Sequence, residues 1–187
     1  MFLQTRTKAA ALATMGALAL TGATISQAAA QDATRAAPQA HVRLWPSSAA
    51  LAHCFPHATA KVDVQLTTDA IGKDRFTIEA KGLRPRTDFT VFLLEQAGSP
   101  FGAAEYIGDF TTDGHGRAAN RFDLIVEEAF AFNNRTQART DLNSVGVWFA
   151  DEKDDDECLG AHSPVTGFDG DGAAGVQMLN SRAVQLP

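Results

Sequence analysis

Cys54 lies between two histidines in "HCFPH" (His53, His57), and Cys158, in "DDDECLGAH", is followed four residues later by His162. These residue types suit three kinds of chemistry. An activated thiolate could attack an electrophile, but it needs a base at its side. On a strand His53 would point to the face opposite Cys54, and His57 follows a proline. Imidazoles joined by the acids Asp154, Asp155, Asp156 and Glu157 would suit Zn²⁺ or Cu²⁺. The spacing lacks the Cys-x-x-Cys pattern of a zinc site. The third possibility is a disulfide between Cys54 and Cys158, set among polar loop residues. Such a bridge would hold the two α-carbons ~5.5 Å apart. It would also draw His53 and His57 towards His162.

Compartment decides whether the thiols are free. Residues 1–30 carry Arg6 and Lys8, then an uncharged run from Ala9 to Ile25, and close on Ala28-Ala29-Ala30. A basic start, an apolar middle and a small-residue end describe a secretory signal peptide cleaved after Ala30. The run is Ala-rich and weak beside the ~20 strongly apolar residues of a membrane span. An exported chain meets oxidising conditions, which favours the Cys54–Cys158 disulfide over a catalytic thiol. The expected localisation is therefore secreted, periplasmic or extracellular, with no membrane span left after cleavage.

The remaining 157 residues suit one domain with a real core. Loss of Arg6 and Lys8 takes the formal net charge from −6 to −8. "DEKDDDE" (151–157) supplies −5 of it, and no basic stripe of the kind nucleic acid requires is present. A run of like charge is ordinarily a solvated loop. Its sharper reading is Ca²⁺, which takes six to eight oxygen ligands. Asp169 and Asp171 in "GFDGDGAAG" offer two further carboxylates in a glycine turn, without the ligand run of an EF-hand. Trp45, Tyr106 and Trp148 could stack on a carbohydrate, although aromatics of a β-domain more often fill its core. Nucleophile-elbow, phosphate-loop, dinucleotide and His-Glu-x-x-His motifs are absent.

The elements that must position these residues read mainly as strands. Residues 31–40 are small and polar, without periodicity, and suggest a flexible lead-in to a domain over 41–187. "KVDVQLTT", "RFTIEA", "EYIGDFTT" and "RAANRFDLIV" alternate apolar with polar residues, the last two around the turn "DGHG". "DFTVFLLEQ" is apolar throughout, as a central strand buried on both faces would be. "SVGVWFAD" and "AGVQMLN" complete the set, and 126–140 reads as a helical or long-loop interruption. Seven or eight short strands separated by turns predict an all-β fold, an antiparallel β-sandwich.

One stretch carries a likeness. Gly82-Leu83-x-Pro85-x-Thr87-x-Phe89-x-Val91 resembles the turn-into-strand segment of fibronectin-type-III and immunoglobulin-like sandwiches. The following "GDFTTDGHGRA" resembles a strand–turn–strand unit of secreted bacterial β-domains, so that the likeness covers about residues 74–120. It implies an immunoglobulin-like fold and no particular chemistry. Where that family has a tyrosine hydroxyl tying the corner, this chain has Phe89, which implies a corner held by packing alone. The expected function is an exported, disulfide-stapled β-sandwich acting as a non-catalytic binding or cell-envelope protein, for a protein or carbohydrate ligand. Two alternatives stay open. One is an extracytoplasmic metal binder using His53, His57 and His162, the other a hydrolase with an acidic site.

Overall fold

The computed structural model describes residues 39–126, 129–166, 173–182 and 186. The expected signal peptide (1–30), most of the expected lead-in, and Asp169 and Asp171 lie outside them. Eight strands form one antiparallel sheet. In chain order they are β1 (Gln39–Pro46), β2 (Thr59–Gln65), β3 (Asp74–Lys81), β4 (Asp88–Leu94), β5 (Ala104–Thr111), β6 (Ala118–Leu124), β9 (Ser144–Phe149) and β10 (Gln177–Asn180). A separate two-stranded ribbon, β7 (Phe130–Asn133) with β8 (Ala138–Asp141), lies between β6 and β9 in the chain. The helices are single turns or little more: α1 (Ala49–Cys54), α2 (Thr68–Ile71) and α3 (Asp156–Leu159).

The strand order is β5-β4-β9-β10-β1-β2-β3-β6, with every pairing antiparallel. The two outer strands meet, so the sheet is nearly closed. Asn120 Nδ2 on β6 donates to the Asp109 carbonyl on β5 at 2.9 Å. A Cβ at Gly108 would come within 2.7 Å of the Phe122 ring, so only glycine lets the edges approach this closely.

Period-two patterning explains which side each strand buries. Ala60, Val62 and Val64 of β2 face inward while Lys61 is exposed and Asp63 and Gln65 are half-buried. β1 repeats the pattern with Ala40, Val42 and Leu44 buried. This strand begins inside the expected lead-in, because "QAHVRLWP" is too short and too charged to stand out from it. β1 also changes partner: Gln39 to Leu44 pair with β2, whereas Trp45 and Pro46 pair with Asn180 and Leu179 of β10.

β4 and β9 are buried on both faces, as the unbroken apolar run of β4 predicts. Inside lie Phe89, Val91, Val145, Val147 and Phe149. On the outside a second cluster of Phe92, Leu94, Trp148 and Ala174 is closed by Phe101, whose ring centroid is 5.0 Å from that of Trp148. Each fully buried side chain of this size contributes ~1.5–3 kcal/mol.

The 126–140 segment departs from the expected helix or loop. Phe130↔Asp141 through Asn133↔Ala138 pair as a β-ribbon. Asn133 Oδ1 accepts the Arg135 and Thr136 N–H groups and closes its turn.

Candidate functional site

The two cysteines are bridged, with α-carbons 5.9 Å apart. The bond ties the end of α1 to α3, across 104 positions of sequence. Ser48 caps α1 by accepting the Leu51 N–H at 3.2 Å, and Leu51 anchors the turn in the core. On the other side Asp155 holds the acidic segment in place. It is fully buried, its Oδ2 accepts the Val176 N–H at 2.7 Å, and its Oδ1 accepts the Ser163 hydroxyl.

The acidic run is therefore built into the fold and is not a solvated loop. Arg84 Nη1 donates to both the Asp154 carboxylate (2.8 Å) and its carbonyl (2.7 Å), and Arg84 Nε lies 3.6 Å from Glu157. Burial pushes the Asp154 carboxyl above its ordinary value, against the opposing pull of the Arg84 guanidinium. Asp151 Oδ1 accepts the Lys153 N–H at 2.8 Å. His53, His57 and His162 are exposed. Among the described residues no three His, Cys, Asp or Glu side chains are grouped as metal ligands.

Nor do the aromatic candidates share a face. Trp148 is buried in the second cluster. Tyr106 is exposed on β5, its hydroxyl donating to Asp109 Oδ2 at 2.7 Å. Trp45 is half-buried, with the Arg182 guanidinium 4.9 Å from its ring centroid. Trp45 alone borders a cavity, and that cavity belongs to a feature the sequence reading passed over.

The feature is a trough on the outer face of β1, β2, β3 and β6. Register sets Arg43 beside Lys61, Lys61 beside Glu79, and Glu79 beside Ala119, all on the solvent side of the pleat. A cavity of about 790 Å³ lies over this row and reaches Lys81, Thr111, Asp113 and Arg117. Thr59, Lys81 and Arg117 also line an adjoining depression of about 620 Å³ that ends at Trp45, His57 and His115. His57 and Trp45 are thus the two candidates from the sequence that border this adjoining depression.

Two glycines shape its end wall. Gly82 (φ 69°) lies so close to the preceding loop that a Cβ would come 2.4 Å from the His57 carbonyl oxygen. Gly116 (φ 67°) lies equally close to the Leu83 carbonyl, and its own carbonyl accepts the Leu83 N–H at 3.1 Å. The turn at 82–87 therefore clamps the His57 loop to the 113–117 turn. Packing is not its sole support: Thr112 Oγ1 donates to the Arg84 carbonyl at 2.6 Å and accepts the Thr87 N–H at 3.0 Å. Phe89 packs 5.1 Å from Phe149 and 5.5 Å from Phe110, centroid to centroid.

Electrostatically the trough opposes the chain's acidity. Lys61 is paired with Asp63 at 2.5 Å. Among the described residues, no carboxylate lies within ion-pair distance of Arg43, Lys81 or Arg117. The Asp113 carboxylate on the rim is engaged by backbone. The N–H groups of Arg117 (2.9 Å) and His115 (2.8 Å) donate to it and hold its carboxyl below the ordinary range. The sequence signal for the trough is the outward phase of three alternating strands, and it becomes visible only when their register is known. Compared with protein-family models, with curated proteins and with solved structures, the chain has no match.

Proposed function

We propose that the protein is an exported, disulfide-stapled, immunoglobulin-like β-sandwich that works as a non-catalytic binding protein of the cell envelope or extracellular space. Its ligand sits in the trough over β1, β2, β3 and β6. The observation that carries this reading is the trough itself, a cavity of about 790 Å³ built on the rigid outer face of four paired strands.

Three further features support it. The Cys54–Cys158 bridge and the leader-like residues 1–30 suit an oxidising compartment. Among the described residues no helix is long and apolar enough to cross a membrane. The sandwich reading rests on the narrow junction at Trp45 and Pro46, where a β1-β2-β3-β6 half meets a β10-β9-β4-β5 half. A Cu²⁺, Zn²⁺ or Ca²⁺ binder would need a ligand group that the described residues do not assemble.

The test is to fill the trough. Ala119 is exposed on its floor, so Ala119→Trp should block it without disturbing the core. Residues 31–187 should retain ligands on glycan and peptide arrays, return them chemically unchanged, and lose them in Ala119→Trp at an unaltered melting temperature. Binding that survives the tryptophan would refute the assignment of the trough.

A further inference from the structure

We infer that the ligand of the trough is a carboxylated polysaccharide, a glycan carrying repeated uronate groups; this deepens, and rests on, the proposal that the trough is a binding site. Charge is the first ground. In a chain of formal net charge −6, Arg43, Lys61, Lys81 and Arg117 line a single cavity against only Glu79 and Asp113. Asp113 keeps its charge but is held by N–H groups of the turn, Lys61 is paired with Asp63, and Arg43, Lys81 and Arg117 make no ion pair with a described carboxylate. Four cations gathered against fewer carboxylates repel one another in part, and an anionic ligand lowers that cost.

Layout is the second ground. Arg43 and Lys61 stand side by side on adjacent strands, ~4.8 Å apart in the sheet. Lys81 lies two residues along β3 from Glu79, a step of ~6.7 Å. The cations are therefore spread over several strands and two rows of the pleat. A single phosphate or carboxylate could meet only one or two of them. A chain with an anionic group on successive units meets them all.

The lining supplies the third ground, which favours sugar over an acidic peptide. Thr59 and Thr111 bring hydroxyl oxygens that can still accept, their protons being donated to the Leu44 carbonyl and the Asp88 carboxylate, and Trp45, at the far end, brings an indole whose ring the Arg182 guanidinium approaches at 4.9 Å. Side-chain hydroxyls and lysine ammonium groups suit sugar hydroxyls, and an aromatic suits the apolar face of a pyranose ring. β2 and β3, which floor the trough, are each paired along both sides, so a peptide backbone could add as a strand only at its margins, along β6 or the Gln39–Leu44 side of β1.

The test uses residues 31–187 with polygalacturonate, its carboxyl-reduced neutral counterpart and poly-glutamate, followed by titration calorimetry at low and high salt. Polygalacturonate should bind, weaken as salt rises, and weaken about tenfold in the exposed triple variant Arg43→Gln, Lys81→Gln, Arg117→Gln. Ala119→Trp should abolish binding. The inference is overturned if the neutral polymer binds as well, if poly-glutamate binds more tightly, or if no polyuronate binds at all. Where the neutral polymer binds and Ala119→Trp removes it, the charge assignment falls while the trough remains a binding site. Where polygalacturonate binds equally to Ala119→Trp, it is the trough that falls.

Discussion

Removing the Asp74 carboxylate should cost this fold ~4 kcal/mol. Asp74 opens β3 and is 1% exposed. Its Oδ1 accepts the N–H groups of Thr67 (2.7 Å) and Thr68 (2.9 Å) at the start of α2, and its Oδ2 accepts the Val126 N–H (2.8 Å) beyond β6. One carboxylate thus fastens three segments. Hydrogen bonds to a charged acceptor net ~1.5–3 kcal/mol each, which sets a ceiling well above 4 kcal/mol for Asp74→Ala. Thr67 and Thr68 are half-buried, so water can replace the carboxylate there, and these two bonds contribute only ~0.5–1 kcal/mol each, as an ordinary solvated hydrogen bond does. Val126 is 2% exposed, and its orphaned N–H carries the larger part, ~2–3 kcal/mol. The sum is ~4 kcal/mol, or a melting temperature lower by ~8–16 °C for a domain of this size. Urea titration should show the midpoint falling with the slope unchanged. Asp74→Asn should fall between parent and alanine variant, since one oxygen still accepts while the amide faces an N–H group. A loss under ~1 kcal/mol in Asp74→Ala, against the net value of a single such bond, would refute the accounting. So would a loss no larger than that of Asp123→Ala, whose exposed pairing is with Lys73.

The Cys54→Ser, Cys158→Ser double variant should lose up to ~4.7 kcal/mol by the chain-entropy model for a loop of about a hundred residues, read as a lower urea midpoint. An unreduced parent protein whose mass equals that of the dithiol would contradict the bridge. Gly82→Ala should destabilise by ~2–3 kcal/mol, because it adds a Cβ against the His57 carbonyl to the cost of φ 69°; Gly72→Ala, with φ 76° but open space around it, should cost only ~1 kcal/mol in the same melts. Asp113 has a depressed carboxyl pKa, so its contribution to stability is full above the unfolded value near ~3.9 and is lost as pH falls through the folded value. Carbon-detected titration of that carboxyl should place its midpoint below those of exposed aspartates, and Asp113→Asn should flatten the acid limb of the stability profile.

Strand content was legible wherever alternation was clean, as in β2 and β3, or where the apolar run was unbroken, as in β4. The disulfide was legible too, from two cysteines and a leader-like stretch at residues 1–30. β1 was obscured because Ala40, Val42 and Leu44 are interleaved with His41 and Arg43 just after a featureless polar stretch. The β7–β8 ribbon was obscured because Phe130 and Phe132, which should mark a core face, point to solvent. Asp155 reads in sequence as one acid among six, yet it is the buried one, and nothing local distinguishes it from Asp154 or Asp156. The trough could not be read at all without register. Its cations are dispersed over residues 43 to 117, and only the pairing of β1 with β2, β2 with β3 and β3 with β6 gathers them.

The partner change within β1 bears on the order in which the chain assembles. β1, β2 and β3 are near neighbours in sequence, whereas β10, which pairs with the end of β1, lies about 135 residues further along. A chain emerging from its N-terminal side can therefore zip the β1-β2-β3-β6 portion early. Phe89, Val91 and the other inward residues of β4 must wait for β9, and the second join between the two portions, at β1, waits for β10, the first being the β5–β6 contact. The first and last paired strands act together as a latch. Deleting residues 177–180 should leave the early portion structured by hydrogen exchange but the β4 core exposed and prone to self-association, at a stage when the partly folded chain is most in need of a chaperone.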